Sequence, residues 1–318
     1  DFYQKPENGR STDVFAQGKS NNWTGVNNQL PFVSMKDVDY DDEEMWNRFL
    51  DQFSLDELAK MVGSYFGNIE IGSPININAV RSGDGCQGVG TVAFPTKYTG
   101  ENNPRRWACL YTSLLTCTYN KDLIESRGTL MANEALYLDA AVISTGGANL
   151  HRTPFGGRQS EYYSEDANLS YIAGYLEITA MERVGIIGEI KHFTGNDQET
   201  RREGVSTFYT EQSFRENALR GFEGAIRKGK CKAVMSAFSR QGVIYSSSCE
   251  ALNINVLRGE WGFVGRVITD ASSGATSGYK SHYTTSISTG TDLYCLDGQA
   301  TGGNIIANVI KANDDGDL

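Results

Sequence analysis

At 318 residues, with 39% hydrophobic and 21% charged residues, the chain is too long for one small domain and carries enough apolar material for a large core; a single α/β barrel takes roughly 250 residues. A formal net charge of −10 disfavours nucleic acid and anionic membranes as partners, whereas neutral ligands such as sugars are not repelled. No apolar run approaches the ~18 residues of a membrane-spanning helix.

Residues 1–36 are polar and rich in Asn, Gly and Ser, which predicts an extended leader or linker, and they open without an initiator Met or a signal-peptide pattern. The folded domain is expected over 37–318. An acidic start from Asp37 to Glu44 leads into a helix with Met45, Trp46, Phe49 and Leu50 at helical spacing. Ser54 and Glu57 form the capping box of a second helix. From residue 70 onward, strands predicted at 75–80, 140–144, 186–192, 232–237, 265–269 and 291–296 alternate with helices predicted at 107–118, 121–138, 170–184, 210–228, 250–259 and 302–312. Such alternation implies a parallel sheet with crossover helices. No Gly-x-Gly-x-x-Gly turn follows the first strand, which disfavours a dinucleotide-binding sheet. The expected fold is therefore α/β, a (β/α)8 TIM-type barrel. The run Asn313 to Leu318 brings no closing element, so the chain is expected to be a piece of a longer product, its barrel cut after the last strand and helix.

The six cysteines, Cys86, Cys109, Cys117, Cys231, Cys249 and Cys295, show no C-x-x-C spacing, which argues against zinc and favours buried free thiols over a disulfide framework. Cys109 and Cys117, on one predicted helix, would stand roughly 12 Å apart along its axis, too far for a mutual bond. Asn22-Trp23-Thr24 and Asn168-Leu169-Ser170 match the N-glycosylation triplet, which carries weight only in a eukaryotic secreted protein.

Four stretches carry chemistry. Val267-Ile268-Thr269-Asp270 is an apolar strand that ends on a carboxylate and passes into a small-residue loop, the rim position of catalytic carboxylates in α/β barrels. Gly188 to Phe193 delivers Lys191 and His192 together, which strict alternation could not point the same way without a bend or bulge. On those residues alone, a solvated loop after an ordinary strand is an equal reading. Asn76 to Val80 leads in the same manner to Asp84. Between them, His151 to Asp166 sets Arg152 and Arg158 around a Pro/Gly turn, followed by Glu161, Glu165, Asp166, Tyr162 and Tyr163. That density of charge suits either an anion site or a buried Arg–carboxylate network shaping a polar pocket.

Taken in order, Ser82-Gly83-Asp84-Gly85, Asn149 to Asp166, Lys191-His192-Phe193, Lys232 to Ser236, Leu257 to Phe263 and Val267 to Asp270 make the chain resemble the barrel domain of glycoside hydrolase family 3, the β-glucosidase-like enzymes, over roughly residues 50–312. The resemblance implies a retaining β-glycosidase acting on terminal β-D-glucosyl-type residues of a β-linked glucoside or oligosaccharide, through a covalent glycosyl-enzyme intermediate on Asp270. It implies that Asp84, Arg158, Lys191 and His192 bind the sugar and that Met235 lines the subsite, with no metal and no cofactor. Lys191 and Arg158 would keep Asp270 ionised. The acid/base is expected from a second α/β domain or chain outside these residues, and the leader is compatible with such a domain preceding the barrel. Several positions depart from the family pattern. Thr269-Asp270-Ala271 stands where Ser-Asp-Trp is common, so an aromatic sugar platform is absent. Phe238 replaces a frequent Tyr, and Thr194 and Asn196 disfavour the N-acetylglucosamine branch. Asp84, where xylosidase-like members tend to place Glu, tilts the reading toward a glucose-type sugar. Two competing readings are a catalytically inactive carbohydrate-binding barrel and a barrel aldolase using Lys191 as a Schiff base.

Overall fold

The computed structural model describes residues 25–63, 70–89, 111–270, 283–295 and 299–316. The Asn22 triplet, Cys109, the start of the helix predicted at 107–118 and the loop from Ala271 lie outside them. The described end of the expected leader is packed rather than extended. Gln52 clamps the Leu30 backbone from both sides, accepting from its N at 2.9 Å and donating to its O at 2.8 Å. Met35 is buried with Phe49, Phe53, Ile71 and Ile75. Helix α1 (Glu43–Leu50) is capped by Asp42, whose carboxylate accepts from Met45 N at 3.0 Å. The capping box of α2 (Leu55–Gly63) forms as the sequence predicts, with Ser54 N donating to Glu57 Oε2 at 2.8 Å and Glu57 N to Ser54 Oγ at 3.3 Å.

The strand predicted at 75–80 does not form. Ile75 and Ile77 belong to the apolar cluster around α1, and Ile77 makes only an isolated antiparallel bridge to Ile71. The first strand, β1 (Ser82–Asp84), follows it. Next come α3 (Thr112–Thr116), α4 (Lys121–Tyr137), β2 (Val142–Gly147), α5 (Ala167–Val184), β3 (Ile187–Phe193) and β4 (Ser206–Thr207). A helical run over 211–228 contains π-helical turns at Phe214–Ala218 and Gly224–Lys228. Then follow β5 (Ala233–Ser236), β6 (Arg240–Gln241), β7 (Ile244–Tyr245), a π-helical segment Ala251–Glu260, β8 (Arg266–Ile268), α6 (Tyr283–Ser288) and α7 (Gln299–Asp314).

Strands β1-β2-β3-β5-β8 lie side by side in that order, all parallel. A parallel bridge from Ile268 to Leu293 continues the sheet, and the strand predicted at 291–296 reduces to that bridge among the described residues. The result is a partial barrel of the TIM type, a curled parallel sheet under a layer of helices. Its outward residues Ile190, Phe193, Val234 and Val267 join Ile178, Phe222, Leu252 and Leu257 in the largest core cluster. Truncating one such buried side chain to Ala costs about 2–5 kcal/mol.

Helix α5 starts where Asp166 caps Leu169 N at 2.6 Å and stops at Gly185, whose φ of 92° is the left-handed conformation that a C-terminal glycine supplies. It lies so close to α4 that a Cβ on Gly128 would come within 2.6 Å of Glu177 O. Helix α2 packs on α7 through Ala59, Ile305 and Val309, and Tyr294 N donates to Val62 O, which fastens the first helices to the far edge of the sheet. Strands β4, β6 and β7 form a separate small sheet. Among the described residues no helix is long and apolar enough to cross a membrane.

Candidate active site

Strand β3 supplies the centre of the site through a bulge. Against β5 its register runs Lys191 to Met235 and then Phe193 to Ser236, so His192 is the extra residue. Lys191 points inward, Phe193 packs outward against Phe222 (ring centroids 5.2 Å apart), and His192 is freed to serve the same pocket as Lys191. Asn149 fixes the inserted residue, accepting from His192 N at 2.8 Å and donating to His192 O at 2.9 Å.

Around this bulge the strand ends converge. Lys191 Nζ lies 2.5 Å from Asp84 Oδ1 at the end of β1 and 3.2 Å from Glu161 Oε1. Glu161 receives Arg158 through two bonds, Nε to Oε2 at 2.5 Å and Nη2 to Oε1 at 2.7 Å, the bidentate pairing of a planar guanidinium. Both residues ride on the loop after β2, which returns along the sheet where Tyr162 bridges Gly147. Arg158 Nη1 also reaches His192 Nε2 at 3.2 Å, and Tyr162 Oη sits 3.1 Å from His192 Nδ1. Asp270, just beyond β8, brings Oδ2 to 3.6 Å from His192 Nε2. Met235, buried, is register neighbour of Lys191 on one side and Ile268 on the other, and receives Ser144 Oγ at 3.8 Å. Thus Asp84, Arg158, Lys191, His192, Met235 and Asp270 share one end of the sheet.

The electrostatics sort the groups. Burial works to raise Glu161, but Lys191 and Arg158 outweigh it and hold its pKa at about 2, so it is ionised at neutral pH and has no proton to give. Burial likewise opposes the charge of Lys191, yet Asp84 and Glu161 keep it well above the ordinary lysine value. His192 is driven well below its ordinary value by burial and by the cations Arg158, Lys191 and Arg202, and is neutral. Because Arg158 can only donate, its contact makes Nε2 the acceptor and places the imidazole proton on Nδ1, toward Tyr162.

Sequence reasoning missed the shell that holds these groups. Asn196 Nδ2 donates to Tyr162 Oη at 2.6 Å and to Glu199 Oε1 at 3.1 Å, and Arg202 donates to Glu199 Oε2 at 2.8 Å. Deeper, Arg127 and Glu177 form an ion pair with side chains 4% and 0% exposed. Arg127 also donates to the Cys86 carbonyl, and Thr145 Oγ1 donates to Glu177 Oε1 at 2.8 Å. The only advance signal for the outer shell was the polar run Asn196 to Glu199. Of the other carboxylates in the loop, Asp166 is occupied as the α5 cap, while Glu165 is exposed beside it. Cys86, Cys231, Cys249 and Cys295 are buried free thiols, whereas Cys117, at the C-cap of α3, is free but exposed. Among the described residues no group of three or more His, Cys, Asp or Glu is placed to hold a metal ion.

Residues 111–318 match the model of the glycosyl hydrolase family 3 N terminal domain. A β-glucosidase of Ruminococcus albus is 33% identical over 201 residues, 61% of this chain and 21% of that protein. One from Rhizobium radiobacter is 31% identical over 232 residues, 71% of this chain and 27% of that protein. Among solved structures, β-glucosidase 3B from Thermotoga neapolitana in complex with glucose superposes with a TM-score of 0.74 at 32% identity, over 86% of this chain and 40% of its own. A β-glucosidase from Paenibacillus barengoltzii gives 0.76 at 25% identity, over 92% of this chain and 33% of its own. The chain therefore spans between about a fifth and two fifths of the length of these relatives.

Proposed function

The chain belongs to glycosyl hydrolase family 3, and from that premise we propose that it is the glucosyl-binding, nucleophile-bearing part of a retaining β-glucosidase. A retaining glycosidase needs one carboxylate to attack the anomeric carbon and one carboxylic acid to protonate the leaving oxygen, about 5–5.5 Å apart. Asp270 is the nucleophile of this reading. The observation that carries it is the approach of Asp270 Oδ2 to within 3.6 Å of His192, in the same cluster where Lys191 binds Asp84 at 2.5 Å. A glucosyl ring seated there would meet Asp84 as acceptor for its hydroxyls, and Lys191 and Arg158 as donors. Neutral and unprotonated at Nε2, His192 turns an acceptor rather than an N–H toward the carboxylate of Asp270. Met235 closes the inner wall.

The acid/base comes from outside the described network. Glu161 is held ionised at about pKa 2, and Asp166 is committed to a helix cap. A separate α/β domain or chain supplies the proton donor in this reading. The test is leaving-group dependence. The 318-residue chain should turn over an activated aryl β-glucoside, which needs little protonation, while cellobiose lags by the ~10²–10⁴-fold that general acid catalysis contributes. Asp270→Ala should abolish aryl-glucoside turnover and Glu165→Gln should keep most of it. Cellobiose hydrolysis at a full enzyme's rate would place the acid within these residues. Glucose binding without turnover of any aryl glucoside would favour the inactive carbohydrate-binding barrel.

A further inference from the structure

One row beneath Lys191, on the barrel side of the sheet, lies an ion pair that the proposed reaction does not use. Ile190, Val234 and Val267 pack outward into the core under the helices, so alternation turns Glu189, Ala233 and Arg266 to the inner face. The register sets these three in one row, Glu189 beside Ala233 and Ala233 beside Arg266. Arg266 Nη2 donates to Glu189 Oε2 at 2.9 Å, passing over β5. Ala233, with a single methyl, leaves room for the two side chains to meet above it. In the next row Met235 fills the equivalent place between Lys191 and Ile268.

A gain in stability does not account for the pair. Its side chains are 0% and 19% exposed, and a buried ion pair is often no more stabilising than apolar residues of the same volume. Glu189 Oε1, moreover, is buried with no hydrogen-bond partner among the described residues. The geometry offers another use. Strands β3 and β8 share no ladder, since each bonds to β5. Ladder bonds hold neighbouring strands about 4.8 Å apart and leave the curl across three strands adjustable. A bond from β3 to β8 on the concave side is a chord, and the length of a chord fixes the curl. The joined strands are the two that deliver Lys191 with His192 and Asp270. Lys191 stands two residues beyond Glu189, roughly 6.6 Å up its strand, and Asp270 four residues beyond Arg266, roughly 13 Å. At that end His192 Nε2 and Asp270 Oδ2 face each other at 3.6 Å.

We propose that Glu189 and Arg266 are a positioning pair, which ties β3 to β8 beneath the pocket and so sets the separation between the Lys191–His192 bulge and Asp270. Its kinetic consequence rests on the activity proposed above, whereas its structural consequence rests on the fold alone. A misplacement of about 1 Å at the reacting atoms can slow a reaction ~10²-fold.

The test is a double substitution in the 318-residue chain. Glu189→Met with Arg266→Met removes both charges at similar volume and should keep a denaturant midpoint close to wild type. In its crystal structure the separation of His192 from Asp270 should widen by about 1 Å. Labelling of Asp270 by an activated 2-deoxy-2-fluoro-β-glucoside should slow roughly 10–100-fold, while calorimetry finds glucose binding within about threefold of wild type. Glu189→Arg with Arg266→Glu, which rebuilds the tie in reverse, should recover most of the labelling rate. Glu189→Asp shortens the tie by one methylene, keeps both charges, and should slow labelling about tenfold; it decides the matter if the double Met variant does not fold. A purely stabilising pair predicts instead that a folded double Met variant labels as fast as wild type. That result, or an unchanged separation of His192 from Asp270, overturns the proposal. Wild type that fails to label Asp270 refutes the activity and not the tie, which the crystallographic separation then decides by itself.

Discussion

Glu161→Gln isolates the charge at the centre of the network while keeping side-chain shape. The Glu161 pKa falls from 4.5 to about 2, and at ~1.4 kcal/mol per unit this corresponds to roughly 3 kcal/mol of stability carried by its ionised form. Its side chain is 15% exposed, so solvent screening removes little of that. Removal of one partner from a buried ion pair costs a similar amount, about 3–5 kcal/mol. Because the folded pKa lies below the unfolded one, the unfolded chain takes up the proton first as pH falls. The contribution is complete above about pH 4.5 and disappears as pH drops through about 2. Urea unfolding of wild type and Glu161→Gln, followed by tryptophan fluorescence from pH 7 down to pH 2.5, should show a gap of ~3 kcal/mol at pH 7. That gap should narrow steadily below pH 4.5, since carboxylates common to both proteins cancel in the difference. A gap independent of pH, or one under ~0.5 kcal/mol at pH 7, would refute the assignment of Glu161 as a charge held ionised by Lys191 and Arg158.

Arg127→Met should destabilise the chain by about 3–5 kcal/mol by stranding Glu177 in the core, and Arg127→Met with Glu177→Leu should recover most of the loss; denaturant midpoints of the single and double variants decide this, and a single variant costing under ~1 kcal/mol would contradict it. ¹⁵N NMR of the His192 ring should report a neutral imidazole protonated at Nδ1 throughout pH 5–8, since burial and three neighbouring cations depress its pKa; titration near pH 6.5 would show that those cations do not act on it.

Much of the fold was legible because its signals are local. Strands β2, β3, β5 and β8 are short apolar runs bounded by turns, and the capping box of Ser54 and Glu57 is written in a few consecutive residues. The β1 strand was not, because Ser82-Gly83-Asp84 is polar while the more strand-like Ile75 and Ile77 are claimed by the cluster around Phe49 and Phe53. Within the site, Lys191, His192, Asp84 and Asp270 stood out as chargeable groups at or just beyond apolar stretches, and Arg158 through the charge density of the 151–166 loop. Their placement needed a bulge that alternation could only demand, and the register between β3 and β5 supplies it at His192. Arg127 and Glu177 gave no sign of pairing, since 50 residues separate two charges on helices whose other buried positions, Ser170 apart, are apolar. The Asn168 triplet illustrates the converse: it reads as a glycan acceptor, yet Ser170 is fully buried in the first turn of α5.

The assignment of Asp270 is tested most directly by mass mapping after incubation with an activated 2-deoxy-2-fluoro-β-glucoside, whose good leaving group needs little protonation and whose fluorine slows hydrolysis of the intermediate. A single fluoroglucosyl increment on the peptide containing Asp270, absent from Asp270→Ala, is the predicted result. Labelling of Glu161, Glu165 or Asp84 instead, or labelling that survives Asp270→Ala, would contradict it.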